Sequence, residues 1–207
     1  MTKDPRFQNE TFDVSSIGLY LADYARTLQA ALSGVDEAAL TAAQALIEGA
    51  SAAGRRIYAI GNGGSAAIAD HLCCDWTKGT HSDSHPTIDT TSLSANVALY
   101  SAIANDYGFE KVFSTQLAFT ARPGDVLIAI SSSGNSKNIL NAVSTARAAG
   151  VATIGLTGFS GGALKNEADV SLHVAINNYG VVEDAHQALM HVLAQYIAWK
   201  RDTTKPG

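Results

Sequence analysis

The stretch "RRIYAIGNGGSAAIADHL", residues 55–72, passes from an apolar run to a glycine-rich turn and into a helix. "RRIYAI" (55–60) reads as a buried strand, because its apolar residues are continuous rather than alternating. Gly61, Gly63 and Gly64 then let the backbone turn tightly and approach a ligand closely. Ser65 opens a helix over 65–78 whose first N–H groups have no intrahelical acceptor and face the turn. That helix becomes polar at Asp70 and His71. The first half of the stretch is suited to holding an anion, and the second half to doing chemistry on it.

The same grammar extends outward. Residues 14–33 and 36–53 carry apolar side chains at helical spacing, and Asp36 is a plausible N-cap for the second run. "PTIDTTSL" (86–93) is a weaker strand, and 95–104 and 109–121 read as helices. "DVLIAIS" (125–131) is a strong strand before a helix over 136–149. "VATIGLTG" (151–158) is another strand, followed by a short helix near 161–167, a last strand "VSLHVAI" (170–176) and a long helix over 181–200. Apolar strands alternating with helices predict an α/β fold, a doubly wound parallel sheet covered on both faces. Its ligands bind beyond the carboxyl ends of the strands, where the glycine turn lies. The expected organisation is one domain over 1–207, with N-terminal helices at 1–53 and an α/β core at 54–207.

Composition narrows the function classes. The chain has 207 residues, 46% hydrophobic and 16% charged, with a formal charge of −5. No long basic run is present, so a nucleic-acid partner is not expected. No apolar stretch has the length of a membrane span, and "MTKDPRFQNE" lacks the apolar core of a secretory signal. The two cysteines, Cys73 and Cys74, are neighbours and read as reduced thiols in a cytoplasm.

"ISSSGNSKN" (130–138) repeats the strand-turn-helix pattern with four hydroxyls, Ser131, Ser132, Ser133 and Ser136. Hydroxyls and helix N–H groups bind a phosphate without an arginine. A third turn, "LTGFSGGAL" (156–164), ends the next strand. Each loop read alone could simply be a turn; two adjacent loops of one kind favour a binding role. Neither matches GxxxxGK[ST], which disfavours nucleotide hydrolysis, and "GNGGSA" departs from GxGxxG in its second half.

"GNGGSAAIADH", "AIANDYGFEKVFSTQL", "GDVLIAISSSGNSKNIL" and "IGLTGFSGGAL" occur in that order. Together they resemble the sugar isomerase (SIS) domain, and within it the sedoheptulose 7-phosphate isomerases, also called phosphoheptose isomerases. The resemblance covers about residues 14–200. It implies a flavodoxin-like five-stranded parallel sheet with an N-terminal helical pair, and a homotetramer with active sites at subunit interfaces. It implies substrate contacts from Asn62, Gly63, Gly64, Ser65, Asn105 and Asp106, and a phosphate loop of Ser131, Ser132, Ser133 and Ser136. His71 matches a histidine that can ligate a metal, and His191 matches the catalytic, metal-binding histidine of the last helix. Asp75 stands where the family has its glutamate base, and Glu183 where it has a glutamine. "VVED" (181–184) replaces the family's "RIQE", so an arginine contact is missing.

The spacings agree with that assignment. His71 and Asp75 are i and i+4 and share a helix face. Glu183 and His191 are eight apart, within about a quarter turn of one another. His71, Asp75, Glu183 and His191 are therefore the expected ligands of a tetrahedral Zn²⁺. Without the family register, His71 and Asp75 would read as a surface pair. His81, His85 and His173 read as surface or strand residues, with His186 in a supporting position. The expected chemistry is aldose–ketose isomerisation of a phosphosugar through a cis-enediol, with Asp75 or Glu183 as base and His191 as acid. The other reading is a non-catalytic tetrameric SIS adaptor that binds the bacterial replication initiator; the two histidines and two carboxylates favour the enzyme.

Overall fold

The computed structural model describes residues 12–83 and 85–203, so the opening segment "MTKDPRFQNE" lies outside the described residues. Helices α1 (Ile17–Ser33) and α2 (Glu37–Ala52) come first. Asp36 caps α2 as expected, its carboxylate accepting from Ala38 N at 2.9 Å. The core then alternates: β1 (Ile57–Gly61), α3 (Gly64–Cys74), β2 (Thr90–Ser92), α4 (Val97–Tyr107), α5 (Ser114–Thr120), β3 (Val126–Ser131), α6 (Lys137–Ala148), β4 (Ala152–Thr157), α7 (Leu164–Glu167), β5 (Val170–His173) and α8 (Tyr179–Thr203).

The five strands are all parallel, in the order β2-β1-β3-β4-β5. This is the flavodoxin-like order, and its switch point lies between β1 and β3. Strand side chains alternate between two cores. Ile57, Ala59, Val126, Ile128 and Ile130 face α2, α3 and α8. Tyr58, Ile60, Leu127 and Ala129 face α4, α5 and α6. Both faces are covered, which explains the continuous apolar runs in the sequence.

Four expectations are trimmed. The last strand, expected over 170–176, is Val170–His173, and the helix expected over 109–121 is a 3₁₀ turn, Phe109–Lys111, followed by α5. The edge strand expected over 86–93 is only Thr90–Ser92. The helix expected over 65–78 stops at Cys74 and continues as a π-helical turn, Asp75–Gly79. That turn buries Trp76, whose Nε1 donates to Met190 O of α8 at 3.1 Å. Arg201, at the far end of α8, donates to Thr80 O, Pro86 O and Ser51 Oγ. These bonds fix α8 against α3 and its π turn. Helix α1 lies on α8, where Tyr24 Oη donates to Asp184 Oδ2 at 2.6 Å.

Candidate functional site

The site is built where β1 and β3 end. After β1 the chain reaches Gly63, at φ +54, and α3 starts at Gly64. A Cβ on Gly61 would lie 2.3 Å from Ser65 O, so the loop can close only over glycine. After β3 comes the serine loop, and Ser136 stands at the N-cap of α6. Its hydroxyl makes no capping bond, which leaves the first N–H groups of α6 open to a ligand. Asn62 and Asn138 tie the two loops together by reciprocal amide bonds of 3.0 and 2.8 Å. Sequence reasoning missed Asn138; its place in the first turn of α6, beside the serines, was the available signal.

The third glycine turn supports the serine loop from behind. Gly158 N donates to Ser132 O at 2.8 Å, and Leu164 N to Gly134 O at 3.0 Å. Asn135 Oδ1 accepts from Ala163 N at 3.0 Å. A cavity of about 140 Å³ results, lined by Asn62, Ser65, Ser131, Ser132, Ser133, Ser136, Tyr179 and Glu183. Ser132 Oγ is buried with no hydrogen-bond partner among the described residues. A buried hydroxyl without a partner costs free energy unless a ligand completes it. A phosphate oxygen would do so.

A second cluster lies farther along α3 and α8. Asp75 Oδ2 is 3.2 Å from His71 Nε2 and 3.2 Å from His191 Nε2. The imidazoles meet edge to face, with centroids 5.0 Å apart. One ligand atom from each of His71, Asp75 and His191 lies within 4.8 Å of the others. Adjacent ligands on a tetrahedral Zn²⁺, with bonds of about 2.0–2.1 Å, stand roughly 3.3 Å apart. The two Asp75–imidazole separations match that spacing, and the mixed nitrogen and oxygen donors suit Zn²⁺. The donor set therefore fits this metal. The Gln187 amide bridges the imidazoles, 3.0 Å from His71 Nδ1 and 3.3 Å from His191 Nε2. Sequence reasoning missed Gln187 as well, although it sits one helical turn before His191 on the same face.

Glu183 stands outside this trio. Its carboxylate lies on α3's first residue, with both oxygens 2.5–2.6 Å from where a Cβ on Gly64 would be. Eight residues of α8 separate it from His191, about 12 Å along the axis. The two share a face of α8, but the ligand atoms that cluster among the described residues are those of His71, Asp75 and His191, without Glu183. Burial, and then the neighbouring Asp184 charge, push the Glu183 carboxyl above its ordinary value. It makes no hydrogen bond or ion pair among the described residues. Asn105 and Asp106 are exposed at the end of α4 and bond each other at 2.8 Å. They line neither the serine cavity nor the histidine cluster of this single chain. His186 is buried with neither ring nitrogen bonded, facing Thr157 and His173 rather than the cluster. Cys73 is half-buried, and burial pushes its thiol up to about 11, so it is not a ready metal thiolate.

A doubly wound sheet with two turn loops converging at its switch point and a His-Asp-His cluster beside them defines an α/β protein whose candidate site lies where such sheets place their ligands. Residues 20–158 match the SIS domain family. The phosphoheptose isomerase of Mycobacterium tuberculosis is 40% identical over 161 residues, covering 78% of this chain and 81% of that one. That of Rhodospirillum rubrum is 37% identical over 155 residues, covering 75% and 82%. Among solved structures, the phosphoheptose isomerase of Neisseria gonorrhoeae superposes with a TM-score of 0.80 at 32% identity, covering 87% of this chain and 96% of its own. That of Francisella tularensis gives 0.81 at 29% identity, covering 88% and 96%. The chain belongs to the SIS domain family, and within it to the phosphoheptose isomerases, which are enzymes. Among the described residues, no helix is long and apolar enough to cross a membrane.

Proposed function

We propose that the chain interconverts sedoheptulose 7-phosphate and an aldoheptose 7-phosphate through a cis-enediol, as a cytoplasmic homotetramer of single SIS domains. One observation carries the reading: the serine cradle and the histidine cluster lie at two points along α3. Ser65 lines the cradle and His71 belongs to the cluster. Six residues of helix separate them, about 9 Å. An extended sugar chain from C1 to a phosphorus on C7 has eight bonds, about 10 Å at the ~1.2 Å per bond of an extended backbone. A seven-carbon phosphosugar is long enough to span that rise.

In this reading the serine hydroxyls and the open N–H groups of α6 hold the phosphate. Asn62, pinned by Asn138, closes over the sugar. A Zn²⁺ held by His71, Asp75 and His191 would supply Lewis-acid polarisation at the reacting end of the sugar. Asp75 Oδ2 faces the imidazoles, while Oδ1 has no hydrogen bond among the described residues. Asp75 Oδ1 takes a proton from C1 of the ketose as O2 gains one from the His191 imidazole, giving the enediol. Loss of the O1 proton and return of a proton to C2 then give the aldose. Glu183 lies at the phosphate end and acts on binding. Asn105 and Asp106, exposed here, would reach a site across a subunit interface. The apolar residues exposed on α1 (Ile17, Leu21) and α8 (Val192, Tyr196, Trp199) support that assembly.

The test is a mass-spectrometric or coupled assay with sedoheptulose 7-phosphate, with and without Zn²⁺. Turnover that depends on the metal supports the reading. An inert protein with Zn²⁺ supplied overturns it.

A further inference from the structure

The pole of the sheet opposite the cradle carries a second polar cavity. Its volume is about 420 Å³, and Arg55, Arg56, Arg122 and Phe119 line it. Arg55 and Arg56 lead into β1, and Arg122 precedes β3. Strands β1 and β3 have five and six residues, so this cavity lies about 16–20 Å from the glycine and serine loops.

Three arginines meet here in a chain whose net charge is −5 and which has only 14 lysines and arginines. Two acidic side chains share the cavity, and both are engaged. Asp89 Oδ2 pairs with the Arg56 guanidinium at 2.9 Å. Asp125 is buried and spends its oxygens on backbone, accepting from Arg56 N at 3.0 Å and Arg122 N at 2.8 Å. Those two bonds fix the chain on either side of the cavity. The guanidinium groups of Arg55 and Arg122 make no hydrogen bond or ion pair among the described residues. Arg55 is also placed: its Nε lies 3.2 Å from where a Cβ on Gly124 would stand, so its stem crosses an open glycine. Phe119, 67% exposed, stands at the same cavity.

Two guanidinium groups with open N–H donors, in a lining where three arginines outnumber two aspartates, suit a phosphate or diphosphate, which accepts paired N–H bonds from each fork. An exposed aromatic face beside them suits a flat ring on the same molecule. The cavity's volume lies within the usual range for small-ligand sites. We propose that this pole is a second binding site, separate from the catalytic one, for a small phosphate ester that carries a ring. Its phosphate groups bind Arg55 and Arg122, and its ring lies on Phe119.

Titration calorimetry tests this with two probes, pyrophosphate for the anionic half and ADP for both halves. The protein carries Ser133→Ala and Ser136→Ala, so that the catalytic cradle does not report. ADP should bind more tightly than pyrophosphate, and Phe119→Ala should bring the two together. Arg55→Gln with Arg122→Gln should weaken both probes by roughly tenfold or more. With the serine loop intact, the same arginine changes should leave isomerase turnover in the absence of either probe unchanged, because the catalytic loops lie at the other end of the strands. If the double variant fails to fold, either single change should still weaken binding measurably. Binding that ignores the arginine changes, or no binding of either probe at millimolar concentration, overturns the proposal. Isomerase activity is read separately, so a failure here leaves the catalytic assignment standing, and the reverse also holds.

Discussion

Replacing Gly134 with alanine should loosen the phosphate cradle through a contact with the third glycine turn. Gly134 has φ +66, and an added Cβ would lie 1.9 Å from Gly161 O and 2.6 Å from its carbonyl carbon. The left-handed backbone alone costs a non-glycine residue about 1–2 kcal/mol. The clash is with backbone, so the two loops must separate. That strains the Leu164 N to Gly134 O bond and the Ala163 N to Asn135 Oδ1 bond, worth about 1 kcal/mol each. The total is about 3–4 kcal/mol. Gly54→Ala is the control, because Gly54 has φ +62 but nothing within 4 Å of an added Cβ. It should cost only the backbone part, about 1–2 kcal/mol. The assay is urea unfolding at one fixed protein concentration, paired with calorimetric titration of inorganic phosphate. Gly134→Ala should be the less stable by about 2 kcal/mol and should bind phosphate more weakly. Equal stability of the two variants, with phosphate affinity intact, would refute the buttressing of the cradle by the third turn.

Asp75→Asn should lose zinc and turnover together, whereas Glu183→Gln should keep its zinc, both read by elemental analysis beside the isomerase rate. With the phosphate held in the serine cavity as proposed, removing the Glu183 charge should also lower KM, by roughly threefold to tenfold at the ~1 kcal/mol of a partly exposed charge pair. Burial pushes His186 down to about 4. The native state therefore resists the proton that the unfolded chain takes up below pH ~6.5, and stability falls as pH drops from there toward about 4. Between about pH 7.5 and pH 5 this amounts to roughly 2 kcal/mol, which His186→Leu should abolish in urea midpoints measured at the two values. Light scattering at micromolar concentration should report four times 21.6 kDa, and a monomer would contradict the interface active site.

Much of the architecture was legible because both faces of the sheet are covered. The apolar runs at 55–60, 125–131 and 151–158 could only be buried strands, and they became β1, β3 and β4. The edge strand was overdrawn because "PTIDTTSL" is mixed in character, and only Thr90–Ser92 pairs with β1. The π turn at Asp75 was not legible: it has no glycine or proline before Gly79, and such turns depend on tertiary packing, here the burial of Trp76. His71 and Asp75 were identified through the family resemblance, with which their i, i+4 spacing agrees, and the π turn still leaves them 3.2 Å apart. Glu183 was grouped with them by the family register and by its angle on α8; in the structure its carboxylate lies against Gly64 and lines the serine cavity. Gln187 obeys the same i, i+4 rule with His191, but an uncharged amide at that spacing is common on any helix and is not singled out by pattern alone.

Isomerisation in D₂O, followed by NMR on the zinc-loaded protein, is the most direct measurement of the chemistry assigned to this site. Sedoheptulose 7-phosphate should convert to an aldoheptose 7-phosphate with solvent deuterium at C2, because the proton passes through an exchangeable carboxyl on Asp75. Absence of conversion would contradict the isomerase reading, and conversion with no deuterium at C2 would contradict a solvent-exchangeable proton on Asp75 in the transfer.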